Sequence, residues 1–288
     1  MSVFQLVRLD RIMAMTRGNP RIKIGLIDGL VAMNHPGLSG ARILSQTANA
    51  GCQQPNSIAC QHGTFIAGIL VSANNSESPG QSGICPDCTI FVSSVFSETV
   101  SPTQMMPLTT PTEIAQAILK CLAEKVKVIN LSAGMAIPSS RSEPVLERAL
   151  NEAARQGVLI VVAAGNQHAL GSSSLTRHPW VIPVVACDAK GFPTSHSNLG
   201  RTIGNQGLCA PGESIQGLNS AGGFLQNSGT SVAAPFVTGA IALLWSLFPD
   251  ASAIRIKTAV LNRASRSSRA IVPPLLDAWG SYQFLQKN

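Results

Sequence analysis

This chain is short of charge. Asp, Glu, Lys and Arg make up only 12% of its 288 residues, against about a quarter in an ordinary globular chain. That shortage excludes the compositions of disordered tails and coiled coils. Tyrosine occurs once, no RNA-binding signature is present, and the basic residues behind the net charge of +7 are scattered. Their densest group, Arg255, Lys257, Arg263, Arg266 and Arg269, reads as a solvated surface, so no nucleic-acid partner is expected. The 14 acidic residues do not group closely, so they suggest no calcium site. The uninterrupted apolar stretch of a signal peptide is missing as well, because Arg8, Asp10, Arg11 and Arg17 punctuate the first twenty residues. The one strongly apolar run, Val232 to Phe248, contains Pro235 and reads as a buried helix rather than a membrane span. The expectations are no membrane partner and, by default, cytoplasmic residence.

Apolar residues, by contrast, are abundant at 45%, enough to bury a full core, and 25 Gly with 18 Pro supply tight turns. Residues 1–20 read as a short helical entry with Phe4, Leu6, Leu9, Ile12 and Met13 near helical spacing. Strands are expected at 21–27, 89–96, 126–131, 158–164, 181–187 and 208–212. Helices are expected over 65–71, 111–125, 143–156, 230–248 and 251–262, with Gly157 as a C-terminal cap. This alternation predicts a single α/β domain over 21–288, built on a doubly wound, mostly parallel sheet with helices on both faces. No internal repeat and no dividing linker interrupts it.

Seven cysteines are present. Cys85 and Cys88 have zinc-knuckle spacing, and Cys52 with Cys60 could supply two further ligands, although that pair is spaced more widely than is usual. Reduced thiols, or a local disulfide within 52–88 worth roughly 2–4 kcal/mol, are the favoured reading. Cys187 and Cys209 read as small buried apolar groups.

Ser231 stands between small residues in Gly229-Thr230-Ser231-Val232-Ala233-Ala234, at the start of an expected helix. Such a serine becomes a nucleophile when a base takes its proton, a buried carboxylate orients the base, and donors await the developing oxyanion. His62 and Asp28, the latter at the carboxyl end of an expected strand, supply the first two. Asn166, ending another strand, is placed to lend an amide, and the helix terminus adds its own dipoles. Each residue alone has a plainer reading: strand-end turn for Asp28, helix cap for His62 or Ser231, turn for Asn166. Together, in the order Asp, His, Ser, those plainer readings lose.

These motifs resemble the subtilisin-like serine proteases, the subtilases, over about Arg21 to Ala278. Asp28 with His35-Pro36, His62-Gly63-Thr64 and Gly229-Thr230-Ser231-Val232-Ala233-Ala234-Pro235 are similar to the family's aspartate, histidine and serine motifs. The resemblance implies that Ser132, Ala133 and Gly134 pair with an extended substrate. It also implies that Ala164 and Gly165 wall the pocket before the scissile bond and that Asn166 serves the oxyanion. Ser195-His196-Ser197-Asn198 and Ala210-Pro211-Gly212 resemble structural motifs of the family. Three features depart from it: Gly29-Leu30 replaces the usual Ser/Thr-Gly after Asp28, the stretch 166–179 looks shortened, and the aspartate motif lies close to Met1. If this chain is the whole gene product, the last implies that it folds without a signal peptide or a long pro-segment.

Arg17-Gly18-Asn19-Pro20-Arg21-Ile22, Asp28-Gly29 and Cys60 ahead of His62 are similar to leader-cleaving subtilases of cyanobactin biosynthesis. The implied substrate is a precursor peptide, no cofactor is needed, and oligomeric state stays open. The alternatives are a broad scavenging protease and a catalytically silent peptide-binding fold.

Overall fold

The structure, a computed structural model, describes residues 2–45, 51–73, 82–98, 109–132, 142–261 and 270–287. Seven strands, all parallel, form the central sheet: β1 (Lys23–Asp28), β2 (Arg42–Ser45), β3 (Thr89–Ser94), β4 (Val128–Leu131), β5 (Leu159–Ala163), β6 (Val181–Cys187) and β7 (Leu208–Pro211). Their spatial order is β2-β3-β1-β4-β5-β6-β7. The order reverses at β1, and the carboxyl edge at such a reversal is where open α/β sheets gather their ligands. Asp28 is the last residue of β1.

Alternation along the strands sorts the core into two layers, as a period of two requires. In β5, Leu159 and Val161 belong to one apolar cluster and Ile160 and Val162 to the other. The first layer is covered by α3 (Ile58–Val71), α8 (Thr230–Leu247) and α9 (Ala253–Leu261), the second by α4 (Pro111–Ala123) and α5 (Pro144–Gln156). Both faces are thus buried, which explains why the strands read as apolar runs rather than alternating ones. Helix α8 is apolar and long enough to cross a membrane, but 83% of it is buried inside the fold, the position of a core helix.

The entry segment forms two short helices, α1 (Val3–Leu6) and α2 (Asp10–Met13), broken at Arg8, whose φ is +54°. Val7, Leu9 and Ile12 are fully buried in the first layer. Several elements have no counterpart in the sequence reading, among them β2, the antiparallel hairpin of β8 (Ile215–Leu218) and β9 (Phe224–Asn227), and α10 (Ala278–Lys287). Each is short or mixed in polarity, so periodicity does not announce it. The remaining α-helices, α6 (Ser174–Arg177) and α7 (Arg201–Gln206), are short and likewise have no counterpart in the sequence reading.

One expectation needs correction. The helix carrying His62 begins seven residues before its expected start, at Ile58, with Ser57 as its N-cap; the Ser57 hydroxyl accepts from the Cys60 amide at 3.2 Å. His62 therefore lies inside the helix and caps nothing. Cys52 and Cys60 are joined in a disulfide, Cα–Cα 5.8 Å, across eight residues, one of the two favoured readings, and with that bridge in place the four cysteines form no common zinc site. Cys85 and Cys88 are buried as free thiols. Cys187 and Cys209 are buried, as apolar packing requires.

Candidate active site

Strand β1 delivers Asp28 to the sheet edge with no exposed surface. Its Oδ1 accepts from the Gly29 amide at 2.6 Å and meets His62 Nδ1 at 2.7 Å. The opposite ring nitrogen of His62, Nε2, lies 2.9 Å from Ser231 Oγ. These three side chains, 34 and 169 residues apart in sequence, form one continuous hydrogen-bonded line. The His62 side chain is only 11% exposed. That burial is the largest influence on its pKa and pulls it down, but the Asp28 charge and hydrogen bond together outweigh it, leaving the imidazole above its ordinary value.

The departure after Asp28 has a steric cause. A Cβ at Gly29 would lie 1.8 Å from the Ala59 carbonyl oxygen, so the Ser or Thr usual in the resembling family does not fit. Gly63 answers from the other side, where a Cβ would lie 2.4 Å from the Leu30 carbonyl. The histidine helix and the loop after β1 thus meet backbone to backbone, which brings His62 within reach of Asp28. The cost falls on Asp28 Oδ2, which is buried and has no hydrogen-bond partner among the described residues.

Ser231 is the second residue of α8, and Gly229 occupies the N-cap. A capping role for Ser231 is therefore excluded. Its amide lies in the first turn, where helical N–H groups have no intrahelical acceptor. Asn166 is exposed beside it, its Oδ1 accepting from the Thr230 amide at 2.9 Å. That bond orients the side chain so that the NH2 group remains the available donor. Gly165 makes the arrangement possible, with φ +105° and an absent Cβ that would meet Asn198 Nδ2 at 2.3 Å. The Gly165 amide donates to the Thr230 hydroxyl at 3.1 Å, and Ala164, buried, precedes it.

Asn198 then holds the loop that follows β5. Its Oδ1 accepts from the Gln167 and Ala169 amides, each at 3.0 Å, and its Nδ2 donates to the Ala164 carbonyl at 3.2 Å and Gln167 Oε1 at 2.7 Å. Ser132, at the end of β4, is buried and donates to the Ser231 carbonyl at 3.4 Å. Asn130 Nδ2 donates to Ser132 Oγ at 2.7 Å, and Thr238 in α8 donates to Asn130 Oδ1 at 2.9 Å. Ala133 and Gly134, expected beside Ser132, lie outside the described residues.

Sequence reasoning missed the tie between Asn130 and Thr238 and the part played by the hairpin. The first had a readable signal: each is a polar residue inside an apolar run. The second had none, because β8 and β9 pair only in three dimensions. A cavity of about 240 Å³ opens at Ser231 and His62, lined also by Gln61 and Asn166 and, from the hairpin side, by Leu225 and Asn227. Nothing in this site demands a metal or cofactor: base, carboxylate and amide donors suffice for acyl transfer.

Comparison with known proteins places the chain in a family. Residues 19–277 match the family model described as Peptidase S8, Subtilase family. Subtilisin DY of Bacillus licheniformis is 27% identical over 264 residues, covering 90% of this chain and 89% of that protein. An alkaline protease of Alkalihalobacillus alcalophilus is 31% identical over 204 residues, 71% of this chain and 50% of that one. Against several curated subtilisins, among them subtilisin E of Bacillus subtilis, the chain spans only 56% of their length. Among solved structures, the protease domain of PatA superposes with a TM-score of 0.84 at 28% identity, over 94% of this chain and 97% of that domain. The prenylagaramide maturation protease PagA gives 0.82 at 29% identity, over 96% and 98%.

Proposed function

The chain belongs to the subtilase family, the subtilisin-like serine peptidases, and we propose that it releases a leader from a ribosomally made precursor peptide through Ser231, His62 and Asp28. The observation that carries this reading is the unbroken line from Ser231 Oγ through His62 to Asp28, at 2.9 and 2.7 Å. In the proposed reaction Ser231 Oγ attacks the scissile carbonyl while His62 Nε2 takes its proton. Buried Asp28 keeps the imidazole in the right tautomer and stabilises the imidazolium. The Asn166 NH2 and the amides opening α8 receive the oxyanion. His62 next protonates the departing amine, and water enters by the same route to free the acyl-enzyme.

Substrate would lie along Ser132, Ala133 and Gly134 as an added strand, with Ala164 and Gly165 walling the residue before the cut. That mode suits an extended, unfolded segment. Support for a peptide-maturation role comes from the likeness to PatA and PagA, both named as maturation proteases, over nearly the whole length of each solved chain.

The test has two parts. Ser231→Ala should abolish both peptide cleavage and labelling by a fluorophosphonate, and turnover persisting in that variant would refute the assignment. Mass spectrometry of candidate precursor peptides should then show one cut at the junction between leader and core. Many unrelated cuts would instead favour a scavenging protease, and a folded wild type inert to the phosphonate would revive the silent fold.

A further inference from the structure

We propose that Cys52 and Cys60, when their disulfide is reduced, join Glu98 to form a zinc site beside the histidine helix. The two sulfurs and a Glu98 carboxylate oxygen all lie within 4.8 Å of one another. A tetrahedral zinc ion with Zn–S near 2.3 Å and Zn–O near 2.0–2.2 Å holds its ligand atoms roughly 3.5–3.8 Å apart. The Cα atoms of Cys52 and Cys60 are 5.8 Å apart, so side-chain rotation alone opens the sulfurs to that spacing.

Glu98 is the informative member. Its carboxylate is held against the two sulfurs by backbone donors. Glu98 Oε1 accepts from the amides of Gln53 at 2.9 Å and Gln54 at 3.2 Å, and Oε2 from Gln53 at 3.0 Å. Among the described residues it forms no ion pair. Next to two thiols, an anchored anion disfavours bare thiolates and favours them once a dication sits between.

The chemistry balances as follows. A dithiol reductant passes two electrons to the Cys52–Cys60 bond, becomes a disulfide itself and leaves two thiols. Zinc then displaces both thiol protons to solvent and takes two thiolates, the Glu98 carboxylate and a water. Bridge and metal therefore exclude each other on the same sulfurs.

Their shared position gives them one mechanical role. Cys60 precedes His62 by two residues on α3, and the Cys52 amide donates to the Val31 carbonyl at 3.3 Å, three residues beyond Asp28. Gly51 adds a parallel bridge to Val31. Either link ties the end of the aspartate strand to the start of the histidine helix. Zinc thus keeps that tie in a reducing environment where the disulfide would be lost.

The experiment uses cobalt as a spectroscopic stand-in for zinc. Whole protein is reduced with a phosphine, freed of reductant under argon, checked for native fold by circular dichroism, and titrated with Co2+. One equivalent should produce a thiolate-to-cobalt absorption and the visible bands of a tetrahedral ion, which Zn2+ then bleaches. Unreduced protein should show neither. Cys60→Ser should remove the signal, and Glu98→Gln, which keeps one amide oxygen as acceptor for the Gln53 and Gln54 amides and is checked for native fold in the same way, should weaken it roughly tenfold or more. Folded, reduced protein without a cobalt–thiolate band would overturn the proposal. So would bands surviving in Cys60→Ser, which move the ion elsewhere, or an affinity unchanged by Glu98→Gln.

Discussion

At Asp28 one carboxylate oxygen carries both its hydrogen bonds while the other has none among the described residues, so its hold on His62 depends on charge as much as on fit. Replacing Asp28 by Asn removes that charge and leaves the shape. In the proposed reaction kcat should fall by about 10⁴-fold, the loss known when a triad's orienting carboxylate is neutralised. The pH profile supplies an independent reading. His62 must be neutral to accept a proton, so activity is lost as pH falls through its raised pKa. Without Asp28 the upward influences vanish and burial remains, so the acid limb should move to lower pH; a limb that stays in place would contradict this. Stability runs the other way. A pKa raised by folding stabilises the native state below the unfolded value of about 6.5, and that contribution fades as pH rises through the folded value. Asn166→Ala should lower kcat by about 10²–10³-fold with KM nearly unchanged, a range measured on subtilisin itself, a relative of this chain. A change confined to KM would assign Asn166 to ground-state binding instead.

Between elements, the decisive contact is the one between α3 and the loop that follows β1. Two glycines, Gly29 and Gly63, let the backbones touch. Restoring the family's hydroxyl with Gly29→Ser would offer Asp28 Oδ2 a partner but drive a Cβ into the Ala59 carbonyl. Backbone cannot yield as a flexible side chain can, so the clash should win, at roughly 1–3 kcal/mol. Urea denaturation should show the lower midpoint, and peptide cleavage should fall with it as His62 is pushed from Asp28. A variant at least as stable as wild type would mean the helix can retreat. The tie from Thr238 through Asn130 to Ser132 works at the same scale, fixing the end of β4 against the first turn of α8. That places the expected substrate edge and the serine in one frame.

Across the whole molecule, the two ends of the chain meet. Arg8 pairs with Asp277 at 2.8 Å, and Leu9 and Ile12 sink into the layer that holds α8. The ion pair is 41% and 47% exposed at its two side chains, so Arg8→Gln should cost under about 1 kcal/mol. Leu9→Ala empties a fully buried site and should cost about 2–5 kcal/mol. Comparing both by denaturation separates a packed entry segment from one merely pinned by charge. Equal effects would contradict the ranking.

Much of this was legible before any coordinates. The apolar runs and their glycine and proline punctuation determined the strand–helix alternation, because a strand buried on both faces must be apolar throughout. Asp28, His62, Asn166 and Ser231 could be picked out by residue type, order and small neighbours, since acyl transfer demands that set. Only the tertiary structure decided which bland readings failed: Ser57 and Gly229 hold the caps that His62 and Ser231 were candidates for. It alone paired Cys52 with Cys60, set Glu98 beside them, and raised β8 and β9 against the site. The physical reason is common to all of these. Periodicity and residue type report on what a segment buries, whereas a pairing between distant segments depends on distances that exist only once the core has closed.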